Sequence, residues 1–161
     1  HQVMRQVAEV LRREIGRTVL LRGEDNKQRL LKTFVENGRA VLVATSSFWE
    51  GIDVRGAALS CVIIDKLPFA SPDDPQLKAR VEDCKLKGGD PFAELQLPKA
   101  VIALKQGVGR LIRDRSDHGV LVICDPRVVN KPYGATFIKS LPAIPRTREL
   151  ATLGEFFGPR E

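Results

Sequence analysis

Apolar side chains recur with helical spacing at the start of the chain. Val3, Val7, Val10 and Leu11 stand at i, i+4, i+7 and i+8, which predicts an amphipathic helix that ends at Gly16. An α/β unit would place a strand before such a helix, and no strand pattern precedes this one. We therefore expect the chain to be a piece of a longer protein, with the first strand of its fold missing.

A second helix is predicted after the short apolar run at 18–22. Asp25 or Asn26 can cap its start, and Asn37 followed by Gly38 closes it. Four apolar side chains form its predicted buried face, namely Leu30, Leu31, Phe34 and Val35.

Three further apolar runs, at 40–45, 59–65 and 119–125, continue without alternating polar residues. Strands of this kind have both faces covered, as in a parallel sheet flanked by helices. The pattern therefore predicts an α/β fold with a mostly parallel sheet.

Residues 66–98 break this pattern because they are dense in proline, glycine and charge. We interpret them as an insertion on the rim of the fold, with one short helix from about Gln76 to Lys87. The domain organisation predicted from these patterns is a single domain over residues 1–145 followed by a C-terminal tail over residues 146–161.

Composition narrows the class of protein. The chain has 161 residues, 43% of them hydrophobic and 29% charged, which is typical of one globular domain. No run approaches the roughly 20 apolar residues of a membrane span, and no signal peptide is apparent, so we expect a cytoplasmic protein without a membrane partner. The net charge of +6 suits a polyanionic partner.

Cysteine and histidine give no sign of a metal site. The three cysteines lack C-x-x-C spacing, so neither a disulfide framework nor a zinc site is predicted, and we expect two of them to be buried in strands. His118 has no other histidine or carboxylate pair at ligand spacing, which favours an ordinary loop histidine.

The most informative segment is LPKAVIALKQGVGRLIRD at 97–114, which predicts a helix packed on the sheet. Opposite its apolar stripe, four residues share one face, namely Gln106, Gly109, Arg110 and Arg113. A guanidinium group is suited to stabilise charge on a phosphate being transferred, and Gly109 leaves room for a ligand to approach the backbone. The alternative is a solvated basic helix face.

A second segment, ATSSFWEGIDVRG at 44–56, leaves the carboxyl end of a predicted strand, where open α/β sheets bind ligands. Thr45 and Ser46 offer hydroxyl and backbone N–H groups that could hold phosphates, and Gly51 permits a turn beside Asp53. The alternative is that this segment has only structural roles, namely a helix cap, loop packing of the aromatic residues and an ordinary turn. Phe69, Phe92 and Trp49 could likewise stack on bases or simply pack in loops.

Together these segments resemble motifs V and VI of the superfamily 2 helicases, motif VI having the form Q-x-x-G-R-x-x-R. The strings SFWEGIDVRG, IDKLPFASPDDP, LPKAVIALKQGVGRLIRD and GVLVICDPR are similar to the second RecA-like lobe of the DinG and XPD family of DNA helicases, in its bacterial DinG-like branch. The resemblance covers most of residues 1–145. It implies one motor lobe of an ATP-dependent DNA helicase that acts in DNA repair or replication.

The resemblance assigns roles residue by residue. It implies that Arg113 is an arginine finger for the γ-phosphate of ATP, with Arg110 beside it and Gln106 near the phosphates or the attacking water. Gly109 would lie against the nucleotide, and Gly51 with Asp53 would contact the nucleotide side of the cleft.

The resemblance also implies that Thr45 and Ser46 hold the backbone of single-stranded DNA. A non-catalytic binding module for single-stranded DNA, or for a replication or repair protein, is the alternative function.

Parts of a complete helicase motor are missing from the sequence. Nothing matches G-x-x-x-x-G-K-[ST], and no Asp-Glu pair stands where a Walker B segment would need one. ATP and Mg²⁺ would therefore bind mainly on a first, N-terminal lobe outside this chain, which becomes an implied partner. The resemblance places an iron–sulfur cluster in that lobe too, and we expect this chain alone to be inactive.

The tail keeps Leu150, Leu153, Phe156 and Phe157 near helical spacing, which predicts a short helix with an apolar edge. Basic and polar residues precede that helix, and with the two phenylalanines they form a candidate partner-binding set: Arg146, Thr147, Arg148, Phe156 and Phe157. The alternative is that the helix folds back onto its own domain. By resemblance, the chi subunit of the DNA polymerase III clamp loader is the first candidate partner.

Overall fold

The computed structural model describes residues 2–49, 54, 58–109, 111 and 118–158. The chain divides into two compact units, one formed by residues 1–60 and 109–119 and the other by residues 61–108 and 120–161. Each unit contains parallel strands and helices, so the predicted α/β class with parallel pairing is confirmed.

The first unit alternates helices and strands. Its elements are α1 (Gln2–Glu14), β1 (Val19–Leu21), α2 (Lys27–Asn37), β2 (Val41–Val43) and a 3₁₀ turn (Ser46–Trp49). β1 and β2 pair in parallel, with Val19 opposite Val41 and Leu21 opposite Val43. All of these elements except the 3₁₀ turn follow from the apolar pattern.

Both faces of this strand pair are covered, as the unbroken apolar runs predict. Val19 and Leu21 pack with Ala8 of α1, whereas Leu20 and Leu42 pack on the opposite side against a cluster that includes Leu30 of α2. Successive side chains of a strand point to opposite faces, so two helices bury one strand pair.

The buried face of α1 differs from the predicted one. Val3, Val7 and Val10 are exposed, and the residues that pack toward the strands are Met4, Ala8 and Leu11. Both sets have helical spacing, so periodicity alone cannot choose between them. Of the four predicted side chains only Leu11 contributes to the core, beside a fully buried Ala8.

The ends of α2 are capped as predicted. The side chain of Asn26 accepts a hydrogen bond from the Arg29 backbone N–H at 2.9 Å. Gly38 ends the helix in the left-handed region, with φ of 65°, and its N–H donates to the Phe34 carbonyl. Leu30 is buried, whereas Val35 is exposed and does not belong to the predicted buried face.

The second unit holds the remaining elements. They are β3 (Cys61–Ile64), α3 (Pro75–Leu86), a π-helical turn (Phe92–Gln96) that leads into α4 (Leu97–Val108), β4 (Val120–Ile123), α5 (Arg127–Asn130), α6 (Gly134–Ser140) and α7 (Ala151–Phe157). β3 and β4 pair in parallel, with Cys61 opposite Val120. Leu104, Val108 and Phe137 are its largest fully buried side chains.

Two expectations about this unit are wrong. Ile63 on β3 is 67% exposed, so the strand is not covered on both faces at that position. The buried cysteine is Cys84, on α3, whereas Cys61 is half-buried and Cys124 is exposed. An apolar run indicates that a strand is present, but it does not indicate which side chains of that strand are buried by other elements.

The predicted helix in the inserted segment is confirmed as α3. Asp74 caps the start of α3, because its carboxylate accepts hydrogen bonds from the backbone N–H groups of Gln76 and Leu77.

Among the described residues, no helix has the length and apolar character needed to cross a bilayer.

Candidate functional site

The helix α4 presents Gln106 on its exposed side. Ala100, Leu104 and Val108 are buried on the other side of the helix and anchor it in the core of the second unit. Gln106 and the buried apolar residues therefore lie on different sides of α4, as predicted. Arg110 and Arg113, the two arginines expected beside Gln106, lie outside the described residues.

Gly109 was expected in the interior of a helix, but it lies beyond the end of α4. α4 ends at Val108, and Gly109 occupies an exposed turn that follows it. Gly107 and Gly109 stand close together here, and glycine is the least favourable residue for a helix after proline. Gly109 is exposed in this turn, and the approach of a ligand to its backbone stays a prediction.

The second predicted segment starts at the carboxyl end of β2. Thr45 is half-buried, and its hydroxyl oxygen accepts a hydrogen bond from the Nη1 group of Arg22. Ser46 is exposed and opens the 3₁₀ turn, in which the Phe48 N–H donates to the Thr45 carbonyl at 2.9 Å. Gly51 and Asp53, predicted for the nucleotide side, lie outside the described residues.

Arg22 is a residue of this region that the sequence analysis missed. It directly follows β1, and its backbone N–H donates to the Val43 carbonyl at 3.0 Å, which continues the pairing of the two strands. The carboxyl ends of parallel strands meet at one edge of a sheet, so residues that follow β1 and β2 become neighbours. A basic residue directly after the first strand is the signal that could have pointed to it.

A small cavity of about 290 Å³ lies beside Arg22. Arg22, Gly23, Asp25, Lys27 and Phe48 line it. The Lys27 Nζ atom stands 5.2 Å from the centre of the buried Phe48 ring. Of the described residues that line this cavity, two carry cationic side chains and one carries a carboxylate.

A larger cavity of about 490 Å³ lies on the α1 side of β1. Arg12 is one of the residues that line it, and its guanidinium donates to the Glu24 carboxylate at 2.6 Å and to the Val19 carbonyl at 3.0 Å. The hydrogen bond between the two side chains raises the pKa of Arg12 and lowers the pKa of Glu24. Arg12 and Glu24 therefore form an ion pair in the lining of this cavity.

The second unit contains an ion pair between the buried Asp125 and the half-buried Arg127, which the sequence analysis also missed. Asp125, 3% exposed, follows β4 and accepts hydrogen bonds from the Leu67 N–H at 2.8 Å and from the Arg127 N–H at 3.0 Å. The Arg127 guanidinium adds a contact of 2.6 Å. These donors, the guanidinium foremost, hold the pKa of Asp125 well below its ordinary value although burial opposes them, and the same hydrogen bond raises the pKa of Arg127.

The Arg127 side chain continues into an aromatic cluster. Its Cζ atom lies 5.3 Å from the centre of the Phe69 ring, which stacks on Phe92 at 5.8 Å and meets Phe137 edge-on at 5.7 Å. Tyr133 completes the cluster at 5.0 Å from Phe92. Phe69 and Phe92 therefore pack within the protein, which confirms the structural alternative for these two rings.

The tail forms the predicted short helix, α7. Phe157 is 53% exposed, and its ring lies at 88° to that of the half-buried Phe156, with the centres 5.2 Å apart. Arg146, Thr147 and Arg148 are all exposed. The Thr147 hydroxyl accepts a hydrogen bond from the Glu149 N–H at 3.0 Å, which orders the turn before the helix.

Side chains of the types that bind metal ions are dispersed in the part of the chain that the structure describes. Within that part, no group of three or more His, Cys, Asp or Glu side chains is arranged to hold a metal. Cys61, Cys84 and Cys124 are free thiols that differ in burial.

Comparison with known proteins matches residues 1–144 to the family described as the helicase C-terminal domain. The chain is 66% identical over 156 residues to the ATP-dependent DNA helicase YoaA of Escherichia coli strain K12, covering 97% of this chain and 24% of that protein. It is 38% identical over 138 residues to the ATP-dependent helicase DinG of Mycobacterium tuberculosis strain H37Rv, covering 86% of this chain and 21% of that protein. A match of 43% over 114 residues to the 3'-5' exonuclease DinG of Bacillus subtilis strain 168 covers 71% of this chain and 12% of that protein.

Proposed function

Because the chain belongs to the helicase C-terminal domain family, of the DinG and XPD type, we propose that it is the second motor lobe of an ATP-dependent DNA helicase. The observation that carries this proposal is the 66% identity, over 97% of the chain, to a protein named an ATP-dependent DNA helicase. The chain spans 24% of the length of that relative, and the reaction would belong to a longer protein with two lobes. We place its work in DNA repair or replication in the bacterial cytoplasm.

On the nucleotide side, Arg113 would act as the arginine finger, with Arg110 beside it. ATP and Mg²⁺ would bind mainly on the first lobe, which would also carry any iron–sulfur cluster, and the bound Mg²⁺ would neutralise phosphate charge there. The exposed position of Gln106, on a helix anchored by Leu104 and Val108, supports a role near the phosphates or the attacking water. Gly51, Asp53 and the exposed Gly109 would border the nucleotide.

The finger assignment is tested by Arg113→Ala in the full-length, two-lobed protein. ATP turnover should fall by about 10³-fold or more while nucleotide binding is retained, since a finger stabilises charge that develops only in the transition state. Lys105→Ala, which removes an exposed cation from the last turn of α4, is the matched control and should leave kcat unchanged. An Arg113→Ala protein with the kcat of the wild type would remove the assignment.

On the DNA side, Thr45 and Ser46 would hold the backbone of single-stranded DNA. Their position at the carboxyl edge of parallel strands, beside Arg22 and Lys27, supports binding of phosphates rather than reading of bases. Such binding is independent of base sequence and weakens as salt rises.

The tail would serve as a docking segment for a replication or repair protein, and the chi subunit of the DNA polymerase III clamp loader is the first candidate. The exposed Phe157 ring and the exposed Arg146 and Arg148 support a helix-in-groove contact with a partially acidic partner.

The docking role is tested by capture of purified chi on the immobilised chain. A truncation ending at Pro145 and the double variant Phe156→Ala, Phe157→Ala should both lose chi, whereas Glu155→Ala on the same helix should retain it. Circular dichroism of each variant checks that the rest of the chain stays folded. Equal capture by all four proteins would show that the tail is a structural element.

A further inference from the structure

The carboxyl ends of β1 and β2 bring together two residues that lie 23 positions apart, Arg22 and Thr45. We propose that Arg22 is a positioning residue for the backbone of single-stranded DNA, acting through the Thr45 hydroxyl, which it holds toward the edge of the sheet. The inference rests on the proposed DNA-binding function, because it concerns how the Thr45 contact is made.

The direction of the hydrogen bond carries the first step. A guanidinium group can only donate, so the Thr45 hydroxyl oxygen is the acceptor in its bond with Arg22. That bond favours one of the staggered rotamers of the threonine side chain. A hydroxyl fixed before the ligand arrives loses less conformational entropy when it binds a phosphate oxygen.

The position of the Arg22 backbone carries the second step. The Arg22 N–H donates to the carbonyl of Val43 at 3.0 Å, which continues the pairing of β1 with β2. Val43 stands two positions before Thr45 in the chain. This backbone bond fixes where the Arg22 side chain leaves the strand, beside Thr45. The chain therefore specifies this pair by strand register rather than by neighbourhood in sequence.

The charges around the pair point to a phosphate-bearing ligand. Arg22 and Lys27 line the cavity of about 290 Å³, and Asp25 is the carboxylate that lines it with them. Asp25 already accepts a hydrogen bond from the Asn26 N–H at 2.7 Å and lies 3.9 Å from Arg29. Among the described residues that line the cavity, the cationic side chains outnumber the carboxylate, and a cationic lining favours a polyanion such as the sugar-phosphate backbone.

The experiment is a double-mutant cycle in the 161-residue chain, read as the affinity for a fluorescent oligothymidylate at two salt concentrations. Arg22→Gln should weaken binding about fivefold, the size expected from one lost hydrogen bond. In a Thr45→Val background the same change should have almost no further effect, because the hydroxyl on which Arg22 acts is gone. Thr45→Ser keeps a hydroxyl and should keep the sensitivity to Arg22→Gln. Arg13→Gln, an equal change of charge at an exposed site on α1, is the control and should change affinity little.

The outcomes separate the two ideas. Losses that add in the double variant would overturn the positioning role and make Arg22 an independent phosphate contact. A Thr45→Val protein that binds as tightly as the wild type would instead overturn the proposed role of Thr45 in DNA binding. Thermal melting of each variant checks the fold, and if Arg22→Gln unfolds the chain, Arg22→Lys, which keeps the charge but loses the planar fork of donors, takes its place in the same cycle.

Discussion

Asp125 keeps a negative charge at a position that is only 3% exposed. Removing a carboxylate from water costs several kcal/mol unless hydrogen bonds replace the lost hydration. Here two backbone N–H groups and the Arg127 guanidinium replace it, and the guanidinium itself rests over the Phe69 ring. One carboxylate thus joins the segment after β3 to the segment after β4.

We predict that Asp125→Asn lowers the free energy of unfolding by about 2 kcal/mol, the scale of a hydrogen bond to a charged group lost from a protein interior. The asparagine can still accept from the Leu67 N–H, but it presents a neutral group to Arg127. Chemical denaturation measures the loss. Asp83→Asn, which removes an exposed carboxylate paired with Lys87 on α3, is the control and should have little effect. Equal stabilities of the two variants would contradict the role given to Asp125.

The same carboxylate predicts a dependence of stability on pH. The pKa of Asp125 is lower in the folded chain than in the unfolded chain, so its contribution is complete above the unfolded pKa and is lost as pH falls toward the folded pKa. The difference in unfolding free energy between wild type and Asp125→Asn should therefore be constant near neutral pH and shrink from about pH 5 downward. A difference that grows as pH falls would show the opposite sign of shift.

At the scale of elements, helical periodicity predicts where helices lie better than it predicts which face they bury. α1, α2, α3 and α7 lie close to their predicted positions, and the caps at Asn26, Gly38 and Asp74 are local signals that chain neighbours can satisfy. The buried face of α1 depends instead on the strands against which it packs. Ala8 is small enough to let the helix approach β1, and no local rule selects it over Val7.

Two glycines, one at the end of α2 and one inside α7, should respond differently to replacement by alanine. Gly38→Ala should lower the free energy of unfolding by about 1 kcal/mol, because an alanine is strained at φ of 65° even though no atom lies within 4 Å of the added Cβ. Gly154→Ala also meets no atom within 4 Å, but it lies inside α7, where alanine favours the helix. It should leave stability unchanged or raise it. Thermal melting of both variants makes the comparison, and two equal effects would contradict it.

At the scale of the whole molecule, contacts between distant parts of the chain are the ones that the sequence analysis missed. Asp125 bonds to a backbone group 58 positions away, and Arg22 meets Thr45 across the strand pair. Parallel pairing was predicted, but the register of the strands decides which residues become neighbours, and continuous apolar runs leave that register open. Gln106 and Thr45 could be proposed from the sequence because motif letters at fixed spacing single them out before any contact is known, and their roles stay predictions.

The proposed function as a second motor lobe gives the last prediction. The 161-residue chain alone should show no measurable ATP turnover with Mg²⁺, because its sequence has no G-x-x-x-x-G-K-[ST] motif and the proposed arginine finger would have no bound γ-phosphate on which to act. The full-length protein, assayed in parallel with single-stranded DNA, is the positive control. Turnover by the chain alone at ordinary helicase rates would contradict a lobe that supplies only part of the site.

The aromatic cluster also equips the protein with an optical signal. Tyr133 is the only tyrosine of the chain, and its ring stands edge-on to Phe69, with the planes at 82° and the centres 5.9 Å apart. A chromophore held in a fixed, asymmetric setting contributes to near-ultraviolet circular dichroism, and that contribution disappears when packing loosens. The only tryptophan, Trp49, belongs to the other unit. Each unit therefore carries its own natural chromophore, so the order in which the two units melt can be followed in the unlabelled protein.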